Sequence, residues 1–351
     1  MEIKLDDIFN QIKKEKSLEQ NANSKVLIVD GANAYIRAFS VNPTMNDDGA
    51  HIGGITGFFN TVTLAIRQLS PTRCIVVFDG KGGSQRRRKI YEGYKQRKRG
   101  LRIRLNRTYH FNDEDDEHKE AMRQLMRIAE YIKCLPITVL IYDNIEADDT
   151  IYYLAKEVFN EKVDIMSTDR DFIQLVDERI SVWNPTRKKI YDSELVKKDY
   201  QFMPKNYLYY RIIEGDSSDT ISGIKGIGIK TIQKTLPLIN GDVEVEFDEL
   251  IDYLEKIKRT NRTAEKLMEH KDILLRNYKL MKLGEIEIDG TTKSRIRELT
   301  NKPISLINKL GIKQMFLTDK LYSAIPNVDS WLLLNFNKLN AFALSTQNQK
   351  E

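Results

Sequence analysis

The sequence predicts an α/β protein in which a mostly parallel β-sheet is flanked by helices. Two observations predict this fold class. Over the first 200 residues, short runs rich in β-branched side chains alternate with longer segments of helical periodicity. These runs are continuously apolar, as expected for strands buried on both faces of a parallel sheet. Ligands of such sheets bind outside the carboxyl ends of the strands, so chemistry is expected there.

The elements of this sheet follow one another along the chain. The predicted strands are 25–30 (KVLIVD), 74–80 (CIVVFDG), 136–143 (PITVLIYD), 162–169 (KVDIMSTD) and 179–185 (RISVWNP). The predicted helices between them are 53–69, 119–133 and 148–160. Their apolar positions recur at helical spacing, which predicts one buried face for each helix.

Residues 81–118 differ from the segments around them. From Lys81 to Arg107 there are twelve Lys or Arg and one acid, Glu92, whereas the whole chain has a net charge of only +5. Such a block predicts a local contact with a polyanion, and the interleaved Tyr91 and Tyr94 could stack on bases. The alternative is a solvated charged face. With few apolar anchors, the segment is predicted to stand out from the core as a mobile element.

Beyond residue 200 the pattern becomes helical. Residues 216–236 predict a helical pair punctuated by glycines, and residues 247–283 predict further helices. The run WLLLNF at 331–336 predicts core packing. The resulting organisation is an N-terminal arm (1–24), a sheet domain (25–200), a helical region (201–285) and a C-terminal helical region (286–351).

Bulk properties exclude a membrane-spanning helix and a secretory signal. No run of eighteen apolar residues exists, and the N-terminus lacks a basic start followed by an apolar stretch. The two cysteines, Cys74 and Cys134, are expected to be buried thiols in a reducing compartment. A cytoplasmic location is therefore expected, within a host cell if the protein is viral.

Acidic residues end or closely follow four of the predicted strands. They are Asp30, Asp79, Glu146, Asp148, Asp149, Asp169 and Asp171. Any one of them could simply cap a helix, and Asp149 could be a first-turn helix acid. If the strands are parallel, however, these carboxylates meet at one edge of the sheet. There they would repel one another unless cations were present.

The donor types at this edge indicate a hard divalent cation. Oxygen ligands without nearby His or Cys select Mg²⁺, Mn²⁺ or Ca²⁺ over zinc. Asp216 and Asp219, three residues apart, could cap a helix or complete a second ion site with Asp169 and Asp171. Two ions about 3.5–4 Å apart can stabilise both the attacking and the leaving oxygen in phosphodiester hydrolysis.

A glycine-rich stretch, GIKGIGIK at 223–230, is the second strong signal. Its glycines permit a tight turn and a close approach of phosphate to main-chain N–H groups, and the helix that follows offers its N-terminus. The alternative is an ordinary connection between two helices. The stretch lacks the order of a Walker loop or a dinucleotide fingerprint.

Taken together, these motifs resemble the flap endonuclease / 5′–3′ exonuclease family, and most closely its stand-alone bacteriophage replication nucleases. The similarity covers about residues 25–285. The matching segments are 25–37, 74–98, 146–154, 167–172 and 215–230. The resemblance implies a PIN-like nuclease domain, a helical arch over the active site (81–118) and a helix–three-turn–helix element that binds DNA (within 201–285).

The resemblance also implies roles for individual residues. The first-metal ligands would be Asp30, Asp79, Glu146 and Asp148, with Asp149 close by, and the second-metal group Asp169, Asp171, Asp216 and Asp219. Lys95 matches the catalytic lysine at the base of the arch. Duplex phosphates would lie on Gly223, Lys225, Gly226, Gly228 and Lys230, with K⁺ as a further ligand of that turn. Further DNA contacts are expected at Arg86, Arg87, Tyr94, Arg97 and Arg99.

Two positions depart from the family pattern. The phosphate-binding arginine of the arch corresponds by register to Lys98, with Arg97 or Arg99 as substitutes, and lysine is less suited to bidentate phosphate contact. Thr220 stands where the family often has asparagine, a change expected to be structural.

The sequence therefore predicts a nuclease that cuts DNA, or RNA paired to DNA, at branched or flapped 5′ ends, using two Mg²⁺ ions or Mn²⁺ in their place. Two alternatives stay open: another Mg²⁺-dependent phosphotransferase, and a DNA-binding replication accessory with an inactive site. A monomer is expected. A single-strand-binding protein or a sliding clamp is the expected partner, with residues 286–351 as its docking place.

Overall fold

A six-stranded sheet forms the centre of the molecule. The computed structural model describes residues 22–96, 111, 113–241 and 243–348. The strands are β1 (Lys25–Asp30), β2 (Arg73–Asp79), β3 (Thr138–Tyr142), β4 (Lys162–Met166), β5 (Ile180–Asn184) and β6 (Lys189–Tyr191). Their order is β3-β2-β1-β4-β5-β6, with β6 antiparallel to β5 and all other neighbours parallel. The prediction of a mostly parallel sheet is confirmed.

Helices cover the sheet and continue to the C-terminus. Before residue 200 they are α1 (Gly31–Val41), α2 (Gly53–Leu69), α3 (Gln85–Ile90), α4 (Glu114–Lys133), α5 (Ala147–Tyr153) and α6 (Ser193–Tyr200). Then follow α7 (Tyr207–Glu214), α8 (Ile229–Thr235), α9 (Phe247–Ile257), α10 (Arg262–Glu269) and α11 (Lys271–Met281). The last are α12 (Gly290–Asn301), α13 (Lys309–Asp319) and α14 (Val328–Asn348).

Each face of the sheet has its own hydrophobic core. Side chains of a strand alternate between faces, so Val26 and Ile28 of β1 join one cluster while Leu27 and Val29 join the other. The first cluster extends through α5 and α7 to α12, and the second through α1, α2, α4, α13 and α14. The strands are continuously apolar because both faces of the sheet are covered by a hydrophobic core.

The C-terminal helices are part of this core. Leu332 and Phe336 of α14 are buried in the second cluster. Leu333 and Leu334, however, are 66% and 69% exposed, so the prediction that all of WLLLNF packs inside is wrong for these two. The reason is helical geometry, since adjacent residues of one helix cannot all face the same side. Of the two thiols, Cys74 is buried and Cys134 half-buried.

The segment predicted to stand free, 81–118, is partly packed on the body of the protein. Its start forms helix α3, and its acidic end forms the first turn of α4, where Asp113 accepts the amide of Asp116. Acids at a helix N-terminus are favoured by the helix dipole, which explains their position. Residues 97–110 and 112, together with most of the predicted arm 1–24, lie outside the described residues.

The predicted helical pair at 216–236 is also corrected. Two short strands, β7 (Gly215–Asp216) and β8 (Ile221–Ser222), form a hairpin, and only α8 follows. Gly215 (φ +78°) and Thr220 (φ +60°) adopt left-handed backbone conformations that break a helix. In the described part of the chain, none of the helices combines the length and apolar character that a bilayer crossing requires.

Candidate active site

The predicted acids meet at the carboxyl edge of the sheet. Asp30 ends β1, Asp79 ends β2, Glu146 precedes α5, and Asp169 follows β4. Hairpin β7–β8 brings the last two members to the same place. Each of the nine acids interacts electrostatically with at least one other. The predicted acids, which are spread between Asp30 and Asp219 in the sequence, are thus assembled at one edge of the sheet.

Four of these acids form what we call the inner acidic group: Asp30, Asp79, Asp148 and Asp169. Burial, with a smaller contribution from the Asp79 charge, raises the pKa of Asp30 to about 6. Burial and the neighbouring Asp171 raise the pKa of Asp169 to about 8. Burial, Asp169 and Asp30 also raise the pKa of Asp148 well above its usual range. Negative charge is therefore unfavourable here without a cation.

Two side chains that were not predicted hold the inner acidic group in place. The hydroxyl of Ser167 donates to Asp30 Oδ2 at 2.9 Å and accepts the amide of Asp169 at 3.0 Å. The main-chain N–H of Asn33 donates to Asp30 Oδ1. The side-chain Oδ1 of Asn33 accepts hydrogen bonds from both the main-chain N–H and the hydroxyl of Thr168. These bonds tie the end of β4 to the start of α1. Both residues lie within the predicted motifs, but nothing in the sequence singles them out.

Arg87 neutralises two of the predicted metal ligands. Its guanidinium is 2% exposed and lies 2.6 Å from Glu146 Oε2. It also makes a bidentate pair with Asp149, at 2.9 and 2.7 Å. Burial alone would raise the pKa of Glu146, but Lys95 and Arg87 outweigh it and hold that pKa below its usual value. Both oxygens of Asp149 are engaged, so its predicted role as a metal ligand is not supported.

The structure does not place Arg87 and Tyr94, which were predicted to bind DNA, on an exposed surface. Arg87 is buried against the acids just described. Tyr94 is 2% exposed, and its hydroxyl donates to Glu146 and Asp219, each at 3.2 Å. A basic segment rich in tyrosine looks the same in sequence whether it faces DNA or acids within the protein. Arg86 is half-buried and donates to the carbonyl of Glu287.

Lys95 contacts the carboxylate oxygen of Glu146 that Arg87 does not contact. Its ammonium lies 2.5 Å from Glu146 Oε1, and its amide donates to the carbonyl of Asp219 at 2.9 Å. Burial alone would lower the pKa of Lys95, but Tyr94 and Glu146 raise it above its usual value. The predicted residues Arg97, Lys98 and Arg99 lie outside the described residues.

The remaining acids form the outer acidic group: Asp171, Asp216 and Asp219. Arg211, which the sequence analysis did not identify, lies beneath it with 1% exposure. Its guanidinium contacts Asp171 Oδ1 and Asp216 Oδ2, both at 2.6 Å. Arginine keeps its charge throughout the pH range of proteins. The outer acidic group is therefore partly neutralised by the protein itself.

The three glycines of the turn at 223–230 differ in whether, and why, the structure requires glycine at each position. A Cβ on Gly223 would lie 2.0 Å from the carbonyl oxygen of Glu214, so this glycine is required by packing. Gly226 has φ +79°, which favours glycine. A Cβ on Gly228 would meet nothing within 4 Å. Gly228 therefore leaves open space beside the exposed Lys225 and Lys230, where a ligand can approach.

The donor set of the inner acidic group fits a divalent cation. Among the described residues, no three Asp, Glu, His or Cys side chains are arranged to enclose an ion in this conformation. Asp148, however, accepts no hydrogen bond within the described residues, and the group consists of hard oxygen donors, of which Asp30, Asp148 and Asp169 have raised pKa values. Hard oxygen donors of this kind are the ligands that divalent cations prefer in proteins.

Known proteins resemble this chain in sequence. A family model described as the 5′–3′ exonuclease, N-terminal resolvase-like domain matches residues 25–201. The 5′–3′ exonuclease of Aquifex aeolicus is 30% identical over 303 residues, which cover 84% of this chain and 95% of that protein. DNA polymerase I of Caldicellulosiruptor bescii is 28% identical over 340 residues, which cover 90% of this chain but 37% of the polymerase.

Solved structures share its fold. The flap endonuclease of bacteriophage T5, in complex with DNA and metal ions, has a TM-score of 0.57 at 18% identity and covers 84% of this chain and 99% of that one. The catalytic core of Rad2 with a DNA substrate has a TM-score of 0.52 at 16% identity, covering 88% and 93%. The predicted PIN-like arrangement is confirmed by these likenesses.

Proposed function

The chain belongs to the 5′–3′ exonuclease family, and from this premise we propose that it is a structure-specific 5′ nuclease. Its substrates are branched or flapped 5′ ends of DNA and of RNA paired to DNA, and its role is the removal of primers and flaps in replication. One observation carries this proposal: the acids at the carboxyl edge of the sheet assemble beside a lysine and an open glycine-rich turn. A small-molecule phosphotransferase would not need that turn.

The inner acidic group would hold the divalent ion. Asp30, Asp79, Asp148 and Asp169 supply the oxygens, with Glu146 adjacent, and Asp171, Asp216 and Asp219 are the proposed second group. Bound Mg²⁺, or Mn²⁺ in its place, supplies an activated water and neutralises charge on the leaving oxygen. Ser167 and Asn33 keep Asp30 and the end of β4 in position, so the oxygens are held before the ion arrives.

Lys95 is the proposed contact to the scissile phosphate. Its ammonium lies at the edge of the acids and is 30% exposed, so it can reach a phosphate while it remains paired with Glu146. The backbone around it is held by hydrogen bonds, because the amide of Lys95 donates to the carbonyl of Asp219 and Thr220 donates its hydroxyl to the carbonyl of Gly93. Arg97, Lys98 and Arg99 are proposed to extend this phosphate contact, and Arg86 to lie at its edge.

The glycine-rich turn is the proposed duplex-binding element. Lys225 and Lys230 are exposed, and Gly228 allows phosphate to approach the backbone. Binding of this kind is independent of sequence and sensitive to salt. A K⁺ ion is proposed at the same turn, although the ammonium of Lys266 already donates to the carbonyl of Lys225 at 2.7 Å.

The C-terminal region is proposed to dock a single-strand-binding protein or a sliding clamp. Its exposed Leu333 and Leu334 support this role. Deleting residues 286–351 is a poor test, because Leu332 and Phe336 belong to the core on the sheet. Replacing Leu333 and Leu334 by Lys is the better test, after the variant has been shown to be folded and monomeric. Unchanged affinity for a single-strand-binding protein and for a sliding clamp would exclude this surface.

A labelled 5′-flap substrate tests the enzymatic proposal. We expect cleavage with Mg²⁺, none with a chelator, and loss of cleavage but not of DNA binding in Asp30→Asn and Asp169→Asn. Neutralising one ligand of the ion removes chemistry while the phosphate contacts elsewhere remain. Binding without cleavage by the unaltered protein would indicate an inactive accessory. Cleavage at full rate by both variants would exclude the inner acidic group as the centre.

A further inference from the structure

Arg211 occupies the outer acidic group as a cation would. From α7 its guanidinium donates through Nε to Asp171, through Nη2 to Asp216 and through Nη1 to Glu214, at 2.6, 2.6 and 2.7 Å. Nη1 also donates to the carbonyl of Gly215 at 3.2 Å. The side chain is almost fully buried. These are charge-assisted hydrogen bonds in a fixed fork, which is a stronger arrangement than a single ammonium contact.

Asp216 has little capacity left for an additional ligand. Arg211 takes its Oδ2, and its Oδ1 accepts the amide of Ser218 at 2.6 Å and that of Asp219 at 3.4 Å. An ion that used Asp216 directly would have to displace one of these donors. Glu214, which also contacts Arg170 at 2.8 Å, completes an ion-pair network around the guanidinium.

The inner acidic group has no cation in direct contact, and the charges of Lys95 and Arg211 act on Asp30, Asp148 and Asp169 only from beyond ion-pair distance. Within the described residues, no ion pair joins Asp30, Asp79, Asp148 or Asp169 to a lysine or arginine. Lys95 pairs with Glu146 instead. The two groups of acids therefore differ in their need for a cation, although the sequence gives both the same residue type.

We propose that Arg211 is a built-in counter-cation of the outer acidic group, which makes a second divalent ion bind much more weakly than the first until DNA is present. This inference rests on the proposed function and concerns how the same site is loaded. Arg211 acts as a positioning residue, because it holds Asp171 and Asp216 and is too deeply buried to touch a substrate.

Charge repulsion between Arg211 and a divalent ion gives the direction and the approximate size of the change in affinity of the second site. In water-like surroundings, a unit charge and a divalent ion about 6 Å apart repel enough to weaken binding roughly tenfold, and more in a lower dielectric. A DNA phosphate placed between the two groups of acids adds negative oxygens and offsets this repulsion. Occupancy of the second site and DNA binding are then thermodynamically coupled, so each strengthens the other.

The test is Mn²⁺ binding to the full chain without DNA, measured by electron paramagnetic resonance of free Mn²⁺. We expect one tight site and a second site at least about tenfold weaker. Arg211→Gln should tighten the second site to within a few-fold of the first. Arg170→Gln is the matched control, since it removes a more exposed arginine from the same Glu214, and it should change the affinity of the second site much less than Arg211→Gln does.

Several outcomes would overturn the proposal. Two equally tight sites in the unaltered protein would do so without any variant, as would an Arg211→Gln protein whose weak site keeps its affinity. If Arg211→Gln does not fold, Arg211→Met replaces it, because it keeps an apolar side chain of similar length and removes the charge, and an unchanged weak site there also counts against the proposal. Failure of flap cleavage at every Mg²⁺ concentration would instead contradict the proposed function, because these affinities are measured without substrate.

Discussion

The ammonium of Lys95 lies 2.5 Å from Glu146 Oε1, so the predicted catalytic lysine is already paired with a predicted metal ligand in the protein without DNA. Arg87 contacts the other oxygen of the same carboxylate at 2.6 Å. Glu146 therefore lies between two cations of the segment 81–118. At this position the Lys95 ammonium would respond both to an incoming phosphate and to a divalent ion bound by the proposed ligands.

Replacing Lys95 by Ala should slow cleavage strongly and tighten binding of the divalent ion. We expect a loss of about 10²-fold or more in single-turnover cleavage of a 5′ flap, as is typical when a group that stabilises developing charge is removed. The affinity for Mn²⁺ should rise, because a positive charge next to the inner acidic group is lost. Lys95→Arg should keep part of the rate. A Lys95→Ala enzyme at full speed would exclude this role.

Replacing Arg87 by Met should destabilise the fold rather than weaken DNA contacts alone. Glu146 and Asp149 would be left buried without their guanidinium, and breaking a buried ion pair costs about 3–5 kcal/mol. Urea unfolding measures this loss. Lys89→Met on the exposed face of the same helix is the matched control and should stay within about 0.5 kcal/mol of the unaltered protein. Equal stability of the two variants would contradict the ion-pair assignment.

Replacing Gly226 by alanine should affect stability, whereas replacing Gly228 by alanine should affect DNA binding. Gly226→Ala should lower stability by about 1–2 kcal/mol, because a Cβ is disfavoured at φ +79°. Gly228→Ala should fold normally, since its Cβ meets nothing within 4 Å, but should bind duplex DNA more weakly. Thermal melts and DNA titrations at one salt concentration separate the two. Undiminished DNA binding by Gly228→Ala would remove this turn from the proposed interface.

The raised pKa of Asp169 predicts a pH-dependent penalty in the metal-free protein. Its value of about 8, against 3.8 for the free side chain, means that the folded state holds more protons than the unfolded state between these pH values. Stability from this group is therefore greatest at low pH and is lost as pH rises through about 8. Asp169→Asn removes this loss, so its stability advantage should grow from pH 4 to pH 8.

Chemical denaturation in a chelator, followed over that pH range, measures the difference between Asp169→Asn and the unaltered protein. Asp47→Asn, at an exposed acid between α1 and α2, is the control and should show no such trend. Adding Mg²⁺ should reduce the trend, because the ion replaces the protons. An advantage of Asp169→Asn that stays constant with pH would contradict burial as the cause.

Much of the fold and of the acid set could be predicted because the signals are local. A continuous apolar run predicts a buried strand, and an acid at its end is placed at one edge of a parallel sheet by the topology alone. The exceptions are also local in origin. Gly215 and Thr220 have positive φ, which permits a hairpin. The structure therefore has the hairpin β7–β8 where the first of two helices was predicted.

The assignment of charges could not be predicted in this way. Arg87 lies about sixty positions before the acids it neutralises, and Arg211 forty positions after Asp171. In the sequence, Arg87 is one of three consecutive arginines that all favour a DNA contact. Only packing decides that Arg87 points inward while its neighbour Arg88 is exposed.

The sequence by itself determined the parallel sheet, the acids at its carboxyl edge and the glycine-rich turn, because these depend on residue type and spacing along the chain. The tertiary structure alone decided which acids remain without a cation and which are neutralised by Arg87, Lys95 and Arg211. The physical reason is that the energy of a charge depends on its burial and on the few ångströms around it, and neither is fixed until distant segments pack together.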